Sequence, residues 1–395
     1  MFRNTSEVAA EAFTAVFGDA PEGVWSVPGR VSLMGDHTDL EDGLTFGYAH
    51  PARSAAAVSR RDDNVVRVVT DLTSEQIEIT LPEIAPQQDH SWRDYPLGTI
   101  WAASKHIQEN QDVEDFPAAA PTGLNIFITT DLPIGGGLAS SASICGAISL
   151  AINTLWELRL SNQDLAHFGY RVENEYIGAS TGMSDHVTVL CAEAGKDVFY
   201  DSRGSDVSLI EGPDLADEGL AQILVETGQV HRNWENVVID RHQACTRVAK
   251  TLGYQYLREA QHEEVESAAH IDEVDRRRAS YVINEIQRVL DLVRLVRTEG
   301  AKSTGHLFNA SQRSLREDFE ATSERIDVTT ELALAAGAIG ARMTGSGFGG
   351  SVYVLIPAER EPHFRQTLAA AYAEYGWDAP KVYEISSSAG PRRDA

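Results

Sequence analysis

The chain has 395 residues, of which 43% are hydrophobic, and this length is sufficient for two domains that bury full cores. Acidic residues outnumber basic residues by 59 to 33, which excludes a general electrostatic affinity for nucleic acid or anionic membranes. The three cysteines show no metal-site spacing, so the sequence predicts a reducing, cytoplasmic environment. The first eighteen residues lack the apolar segment of a signal peptide, and no window is long enough to span a membrane.

The first third of the chain alternates between helical and β-like segments. Residues 5–18 show helical spacing, and residues 24–27 form a strand candidate that we expect Pro28 and Gly29 to break. The density of polar groups between residues 30 and 47 is typical of a functional loop. The remaining predictions here are strands at 55–59, 65–70, 76–81 and 125–130, a helix at 96–106 and a surface turn at 117–121.

Residues 131–149, which read DLPIGGGLASSASICGAIS, contain three consecutive glycines before a helical pattern. These glycines, 135–137, allow positive φ angles and a close approach of the backbone to a ligand. Isoleucines at four-residue spacing then predict a buried helix that begins near Ser140. Unpaired amides at its start favour phosphate binding, although the spacing is neither that of a Walker loop nor that of a dinucleotide fingerprint. A plain connector before a buried helix is the alternative interpretation.

The second half of the chain is predicted to be largely helical and to end in turns and strands. A Ser161 capping motif begins a helix at 161–178, and residues 280–296 carry one apolar face of another helix. Strands are predicted at 187–190, 198–200, 222–226 and 351–356, the last after the turn GSGFGG at 345–350. The last fifteen residues are polar, and we expect them to fray. The predicted domains are residues 1–200 and 201–395.

Three glycine-punctuated polar stretches together resemble the sequence motifs of the GHMP small-molecule kinases. They are Pro28–Asp42, Pro133–Ser143 and Arg342–Ser351. The first contains PGRVSLMGDHTD, which is similar to the sugar-binding signature of the galactokinase family, and ENEYIGASTGMSDH at 173–186 resembles the segment with its catalytic aspartate. The resemblance extends over most of the chain. It implies an α+β protein with two lobes and an active site between the N-terminal and C-terminal lobes.

The resemblance also implies a role for each matched residue. Asp185 corresponds to the catalytic aspartate that orients or deprotonates the anomeric hydroxyl, and Arg30 to the arginine that contacts the transferring phosphoryl group. Ser141 and Glu173 correspond to residues that bind Mg²⁺. The residues matched to sugar binding are Asp36, His37, Asp39 and Gly182. The residues matched to ATP binding are Gly135, Gly136, Gly137, Leu138, Ala139, Ser140, Ser141, Ala142 and Ser143.

Several of these residues have structural alternatives when the sequence is considered without the family. Arg30 has the alternative of a surface arginine paired with a nearby carboxylate. Asp185 follows Gly182 and Ser184, which is a common context for a helix cap. His37 has the alternative of bracing its own loop. The match to the family favours the functional interpretation in each case.

The chain departs from the galactokinase pattern mainly among the residues matched to sugar binding. At six positions the family has another residue: Glu in place of Asp36, Asn in place of Ser32, Tyr in place of Leu40, Tyr in place of Val238, Gln in place of His186 and His in place of Gln312. Loss of groups that pair with hydroxyls changes which sugar is accepted more readily than it removes phosphoryl transfer. The sequence therefore constrains the reaction more closely than the substrate.

The sequence predicts a sugar 1-kinase that uses ATP and Mg²⁺, with D-galactose as the preferred substrate and α-D-galactose 1-phosphate as the product. One alternative is a kinase for arabinose, an N-acetylhexosamine or another hexose, which Asp36 and Val238 motivate. The other is a non-catalytic sugar and ATP sensor, which the intact serine-rich motif at 137–143 disfavours. We expect small-molecule partners only, with no nucleic acid or membrane, and a monomer or weak homodimer.

Overall fold

The computed structural model describes residues 3–86, 91–113, 120–229 and 234–395. The helices are α1 (Thr5–Phe17), α2 (Asp94–Asn110), α3 (Ser140–Leu155), α4 (Asn162–Arg171), α5 (Ser184–Cys191), α6 (Trp234–Leu252), α7 (His262–Ser267), α8 (Glu273–Thr298), α9 (Gly305–Glu317), α10 (Glu324–Ala335) and α11 (Glu361–Glu374). The strands are β1 (Gly23–Met34), β2 (Leu44–Arg60), β3 (Val65–Thr70), β4 (Ile77–Thr80), β5 (Leu124–Thr130), β6 (Lys196–Asp201), β7 (Asp206–Glu211), β8 (Leu220–Glu226), β9 (Gly340–Thr344), β10 (Ser351–Pro357), β11 (Lys381–Ile385) and β12 (Arg392–Arg393). A π-helix, Val172–Ile177, continues directly from α4.

The described strands form two sheets. The first has the order β12-β1-β2-β5-β3-β4, with β6 paired to β2 and β7 paired to β6, and its β3–β5 pair is parallel. The second is antiparallel and has the order β11-β8-β10-β9. We call each sheet with its packed helices a lobe. A division at residues 200 and 201 stays a prediction, and both β7 and β12 lie on the first sheet.

Helix α3 forms the centre of the first lobe. It packs against β1 and β2 on one side and against α2, α4 and α5 on others. Ile148 and Ile152 are fully buried in this core, as the isoleucine spacing predicts, and Leu155 is 7% exposed. Because the helix is held on so many sides, the glycine turn before Ser140 has a fixed support.

Strand β1 corrects one prediction from the sequence. It does not break at Pro28 and Gly29 but continues to Met34, with an irregular register between Pro28 and Arg30. Proline is tolerated within a sheet at such a bulge because the ladder is already interrupted there. Arg30 therefore lies on a strand rather than in a loop.

Two further predictions are wrong. Residues 187–190 belong to helix α5 rather than to a strand, because the whole segment is buried against other elements and packing overrides its β-branched composition. The last residues are not frayed: β12 pairs with β1, and the buried Arg53 donates hydrogen bonds to the carbonyls of Ala389 and Gly390 at 2.7 Å each. These long-range partners replace the water that a free terminus would bind.

Most other predicted elements are confirmed. Helix α3 begins at Ser140, α4 begins after the capping residue Ser161, and β3 has the predicted bounds. Most of the predicted turn at 117–121 lies outside the described residues. Among the helices that the structure describes, none has the length and apolarity needed to cross a bilayer.

Candidate active site

A cavity of about 630 Å³ is bordered by residues of both lobes. Twelve of the sequence-predicted site residues line it, ten of which are Arg30, Asp36, His37, Asp39, Gly135, Gly137, Ser141, Glu173, Gly182 and Asp185. The other two are Ala139 and Ser140, whereas the predicted residues Gly136, Leu138, Ala142 and Ser143 do not line it. The second lobe contributes Val238 and the segment 345–347. The fold thus brings together three motifs that are far apart in sequence.

Arg30 and Asp185 form a two-point ion pair at the cavity surface. The Arg30 Nε atom donates to Asp185 Oδ1 at 2.8 Å, and its Nη2 atom donates to Oδ2 at 2.9 Å. A third guanidinium nitrogen, Nη1, donates to the carbonyl of Gly137. The Arg30 side chain is 7% exposed, whereas that of Asp185 is 36% exposed. Arg30 therefore holds the carboxylate and the glycine turn together while the carboxylate faces the cavity.

The position of Asp185 differs from that of a helix cap. It is the second residue of α5, whose capping position is Met183, and its carboxylate pairs with Arg30. The first turn of a helix stabilises a negative charge. Burial raises the pKa of Asp185 above its usual value, and the charge of Arg30 opposes that shift. The result is a cavity-facing carboxylate that is a better proton acceptor than one in water.

The glycine turn depends on positive φ angles. Gly135 has φ 69° and Gly137 has φ 76°, and a Cβ atom at Gly137 would lie 2.7 Å from the carbonyl of Thr344. Glycine is therefore required where the turn meets the second lobe. The buried Ser143 hydroxyl donates to the carbonyl of Val27 at 2.7 Å, so it fixes α3 to β1 rather than pointing into the cavity.

Glu173 lies at the centre of a compact polar cluster. Its Oε1 atom accepts from the Ser141 hydroxyl at 3.0 Å, and its Oε2 atom accepts from the Thr181 hydroxyl at 2.7 Å. The Nε2 atom of His186 lies 3.3 Å from the same Oε2 atom. Burial opposes ionisation of Glu173, but His186 and the two hydroxyl donors outweigh it, so the pKa of Glu173 is lowered.

Sequence reasoning assigned Glu173 and Ser141 but no role to Thr181 or His186. Glu173 lies in the π-helix, a rare local geometry that is frequent at functional sites. In the part of the chain that the structure describes, no group of three or more His, Cys, Asp or Glu side chains is arranged to hold a metal ion. Hard cations nevertheless prefer oxygen ligands, and the Ser141 hydroxyl and the Glu173 carboxylate supply two of them.

The carboxylate of Asp39 lies against the backbone of Gly182, where a larger residue would not fit. The amide of Ser184 donates to Asp39 Oδ2 at 3.0 Å, and a Cβ atom at Gly182 would lie 1.8 Å from that oxygen. Glycine is therefore required at residue 182 for Asp39 to reach the start of α5. His37 adopts φ 67°, and its Nε2 atom lies 3.1 Å from the carbonyl of Ser346 in the second lobe.

Asp36 is engaged by the protein itself. Its Oδ2 atom accepts from Arg342, and its Oδ1 atom accepts from the amide of Gly345 at 3.1 Å. Arg342 is fully buried, and its guanidinium also lies 3.5 Å from the buried carboxylate of Glu285. Sequence reasoning missed this network, although Arg342 begins the third motif. Both carboxylate oxygens of Asp36 thus have partners before any ligand binds.

A further part of the cavity lining is aromatic and apolar. Its side chains were not identified from the sequence: Leu72, Trp92, Tyr95 and Ile134. Flat aromatic groups and aliphatic side chains of this kind bury planar ring systems. The cavity therefore combines an apolar region, a glycine turn and a carboxylate-rich region.

Comparison with known proteins gives consistent matches. The GHMP kinases N terminal domain matches residues 98–193, the galactokinase galactose-binding signature matches residues 11–60, and the GHMP kinases C terminal family matches residues 291–374. The chain is 37% identical to a galactokinase of Streptomyces coelicolor over 388 residues, which is 97% of each chain. It is 34% identical to a galactokinase of Mycobacterium tuberculosis over 368 residues, 93% of this chain and 98% of the relative.

The similarity extends to solved structures. The Lactococcus lactis galactokinase complexed with galactose has a TM-score of 0.89 at 25% identity and covers 97% of this chain and 98% of its own. The Methanococcus jannaschii mevalonate kinase has a TM-score of 0.64 at 19% identity, over 92% of this chain and 98% of its own, and is similar in fold. These matches confirm the predicted two-lobed α+β fold.

Proposed function

Since the chain belongs to the galactokinase family of the GHMP kinases, we propose that it transfers the γ-phosphoryl group of ATP to the anomeric hydroxyl of D-galactose. The products are α-D-galactose 1-phosphate and ADP. The observation that carries the proposal is the Arg30–Asp185 pair, which faces the cavity beside the glycine turn. Phosphoryl transfer needs a hydroxyl acceptor, a cation over the developing charge and a phosphate cradle in this arrangement.

Asp185 acts as the acceptor for the sugar hydroxyl. Its raised pKa favours proton transfer from the hydroxyl as the oxygen attacks phosphorus, and Arg30 offsets the negative charge that accumulates nearby. The amides of Gly135–Gly137 and the first turn of α3 bind the phosphate oxygens of ATP. The apolar lining around Trp92 and Tyr95 receives the adenine ring.

Ser141 and Glu173 fit a Mg²⁺ ion. The hydroxyl and carboxylate oxygens lie 3.0 Å apart and would hold this cation, which prefers hard oxygen ligands. When bound, the ion would neutralise negative charge on the phosphates. The protein contributes the orientation of the two ligands, because Thr181 donates to the second oxygen of Glu173.

We assign sugar hydroxyls to His37, Asp39 and the backbone of Gly182. The amide of Ser184 leaves the second oxygen of Asp39 able to accept from a ligand, and all three residues line the cavity. The assignment of Asp36 to the sugar stays a prediction, because Arg342 and the Gly345 amide already bind its carboxylate. Each oxygen of the Asp36 carboxylate can accept at most one further hydrogen bond from a ligand.

A kinase for another sugar is the second candidate. The engaged carboxylate of Asp36 and the apolar Val238, which is 6% exposed and lines the cavity, favour weaker recognition of the distal sugar hydroxyls. A panel of galactose, arabinose, N-acetylgalactosamine, glucose and fucose in a coupled ADP-release assay separates the candidates. Turnover of galactose above all others supports the first, and inert galactose beside an active alternative supports the second.

The proposal also includes the cellular location and the oligomeric state. We assign the enzyme to the cytoplasm, where a reducing environment suits its three free cysteines, two of which are buried. We propose a monomer or weak homodimer whose partners are the sugar and ATP alone. A silent sugar and ATP sensor is disfavoured because Arg30, Ser141, Glu173 and Asp185 all line one cavity.

The decisive experiment is Asp185→Asn. Removing the proton acceptor should lower kcat by about 10²–10⁴-fold while ATP still binds, as measured by steady-state kinetics and calorimetry. The matched control is Asp19→Asn, which changes an exposed carboxylate and should leave kcat unchanged. Wild-type turnover in Asp185→Asn would overturn the assignment of Asp185, whereas an inactive wild-type protein on the whole panel would overturn the kinase itself.

A further inference from the structure

His186 is a buried residue that the proposed phosphoryl transfer does not use. It follows Asp185 on α5 and is 1% exposed. Its Nε2 atom lies 3.3 Å from Glu173 Oε2, on the carboxylate that we assign to Mg²⁺. The side chain therefore joins the helix of the proton acceptor to the metal-binding residue.

The opposite edge of the imidazole is fixed by the backbone of α4. A Cβ atom at Gly169 would lie 2.1 Å from His186 Nδ1 and 2.3 Å from Cε1, so the ring occupies the space that any larger residue would need. Because the imidazole is 1% exposed and fills the space beside Gly169, close packing limits its rotation away from Glu173. Gly169 and His186 are thus a complementary pair.

The other two contacts of Glu173 are of a different kind. Ser141 and Thr181 donate through hydroxyl groups, which rotate freely and can exchange one acceptor for another. Ser141 is itself assigned to the metal. The imidazole is the rigid contact among the three, because it is held on both sides.

We propose that His186 is a positioning residue, which Gly169 keeps in place and which holds the Glu173 carboxylate where it can share one cation with Ser141. This inference rests on the proposed function, since it concerns the Mg²⁺ that accompanies ATP. Partners that orient a metal-binding carboxylate change metal affinity by 10–100-fold when they are removed. Because Asp185 and His186 are consecutive, α5 then orients both the proton acceptor and the metal ligand.

The test is metal binding measured without turnover. Mn²⁺ replaces Mg²⁺ as a spectroscopic probe, and its affinity is measured by electron paramagnetic resonance with ADP present. His186→Leu should weaken Mn²⁺ binding by at least about tenfold and raise the Mg²⁺ concentration for half-maximal activity, while the galactose KM stays within about twofold. His186→Gln should remain within about threefold of wild type, because its amide group offers a donor of similar reach toward Glu173.

Two further variants separate positioning from folding. Gly169→Ala keeps His186 but displaces its imidazole, so it should weaken Mn²⁺ binding in a folded protein, with a modest loss of thermal stability from the overpacked contact. His167→Leu removes an exposed histidine two residues away and should leave Mn²⁺ binding unchanged. If His186→Leu does not fold, Gly169→Ala decides the question.

The possible failures are distinguishable. Wild-type protein that binds no Mn²⁺ in the presence of ADP overturns the metal assignment itself. Wild-type protein that binds Mn²⁺, with Gly169→Ala and any folded His186→Leu within twofold of it, overturns the positioning role and leaves the proposed kinase intact. Weakened binding in both variants, with recovery in His186→Gln, supports the proposal.

Discussion

Two sides of the cavity are built differently. The phosphate side consists of Arg30, Gly135, Gly137, Ser141, Glu173 and Asp185. The sugar side consists of Asp36, His37, Asp39, Gly182 and Val238. On the phosphate side, the polar groups mostly bind one another across the cavity wall, so the catalytic geometry exists before ligands arrive. On the sugar side, the carboxylate of Asp36 lines the cavity but is already bound by Arg342 and the Gly345 amide of the other lobe.

This difference shows why recognition of single sugar hydroxyls is easier to alter than phosphoryl transfer. On the phosphate side, the polar side chains mostly bind one another, so removal of one leaves another without its partner. The sugar side contains Asp36, whose bonds to Arg342 and Gly345 hold the two lobes together, and the apolar Val238. Substitutions there change recognition of single hydroxyls, which are worth far less than the assembled phosphate side.

The largest expected effect comes from breaking the phosphate side. Arg30→Met should reduce kcat by about 10³-fold, because Asp185 loses its two-point partner and the developing charge loses its cation. Arg60→Met, which removes an exposed arginine paired with Glu22, is the matched control and should be neutral. Steady-state kinetics measure both. A loss of less than tenfold in a folded Arg30→Met protein would contradict the comparison.

The second prediction tests whether Asp36 is mainly a lobe-holding residue. Asp36→Asn leaves the fully buried Arg342 with one carboxylate at 3.5 Å and should lower the free energy of unfolding by about 3 kcal/mol. Asp39→Asn should lower it by about 1 kcal/mol but raise the galactose KM more. Urea unfolding and kinetics measure the two quantities. A larger loss of unfolding free energy in Asp39→Asn, or a larger rise in the galactose KM in Asp36→Asn, would show that Asp36 is primarily a sugar ligand.

The third prediction concerns Asp197, a buried carboxyl away from both sides. Burial raises the pKa of Asp197 to about 7, above its ordinary value, so the protonated form stabilises the folded state. The free energy of unfolding should fall as pH rises from about 4 to about 7. Asp197→Asn should flatten this slope and add about 1 kcal/mol or more at pH 8. Urea unfolding at several pH values measures this slope, and an unchanged slope in Asp197→Asn would contradict the prediction.

The smallest expected effect comes from restoring a polar group on the sugar side. Val238→Tyr adds a hydroxyl where a buried valine lines the cavity, and one hydrogen bond to substrate is worth about 1 kcal/mol. The kcat/KM for galactose relative to arabinose should rise by about fivefold. Val238→Phe controls for ring size alone. An equal gain in Val238→Phe would attribute the effect to packing.

The sequence predicted the features that depend on local patterns. The start of α3 at Ser140 follows from glycines before an apolar repeat, and the capping motif at Ser161 marks α4. It did not predict that β1 continues through Pro28, because the bulge there is set by the partner strand. The helical state of residues 187–190 was missed for a similar reason, since burial outweighs β propensity.

The candidate site divides in the same way. Twelve of the sixteen residues that the family motifs named line the cavity, and both Arg30 and Asp185 were assigned to the reaction. The partnership of Asp36 with Arg342 joins residues 306 positions apart, and no local pattern records such a distance. The contact of His186 with Glu173 depends on the π-helix at Val172–Ile177, a geometry that periodicity analysis treats as ordinary helix.

The return of the chain to the first sheet has a mechanical consequence. Two covalent crossings join the lobes, one between β7 and β8 and the other between β11 and β12, and Arg53 anchors the second crossing. A single linker would leave the lobes freer to twist, whereas two linkers limit the rotations that are available. Buried residues of both sheets, such as Phe46 and Leu224, also share one hydrophobic core, so this core and the two crossings together resist twisting of one lobe against the other.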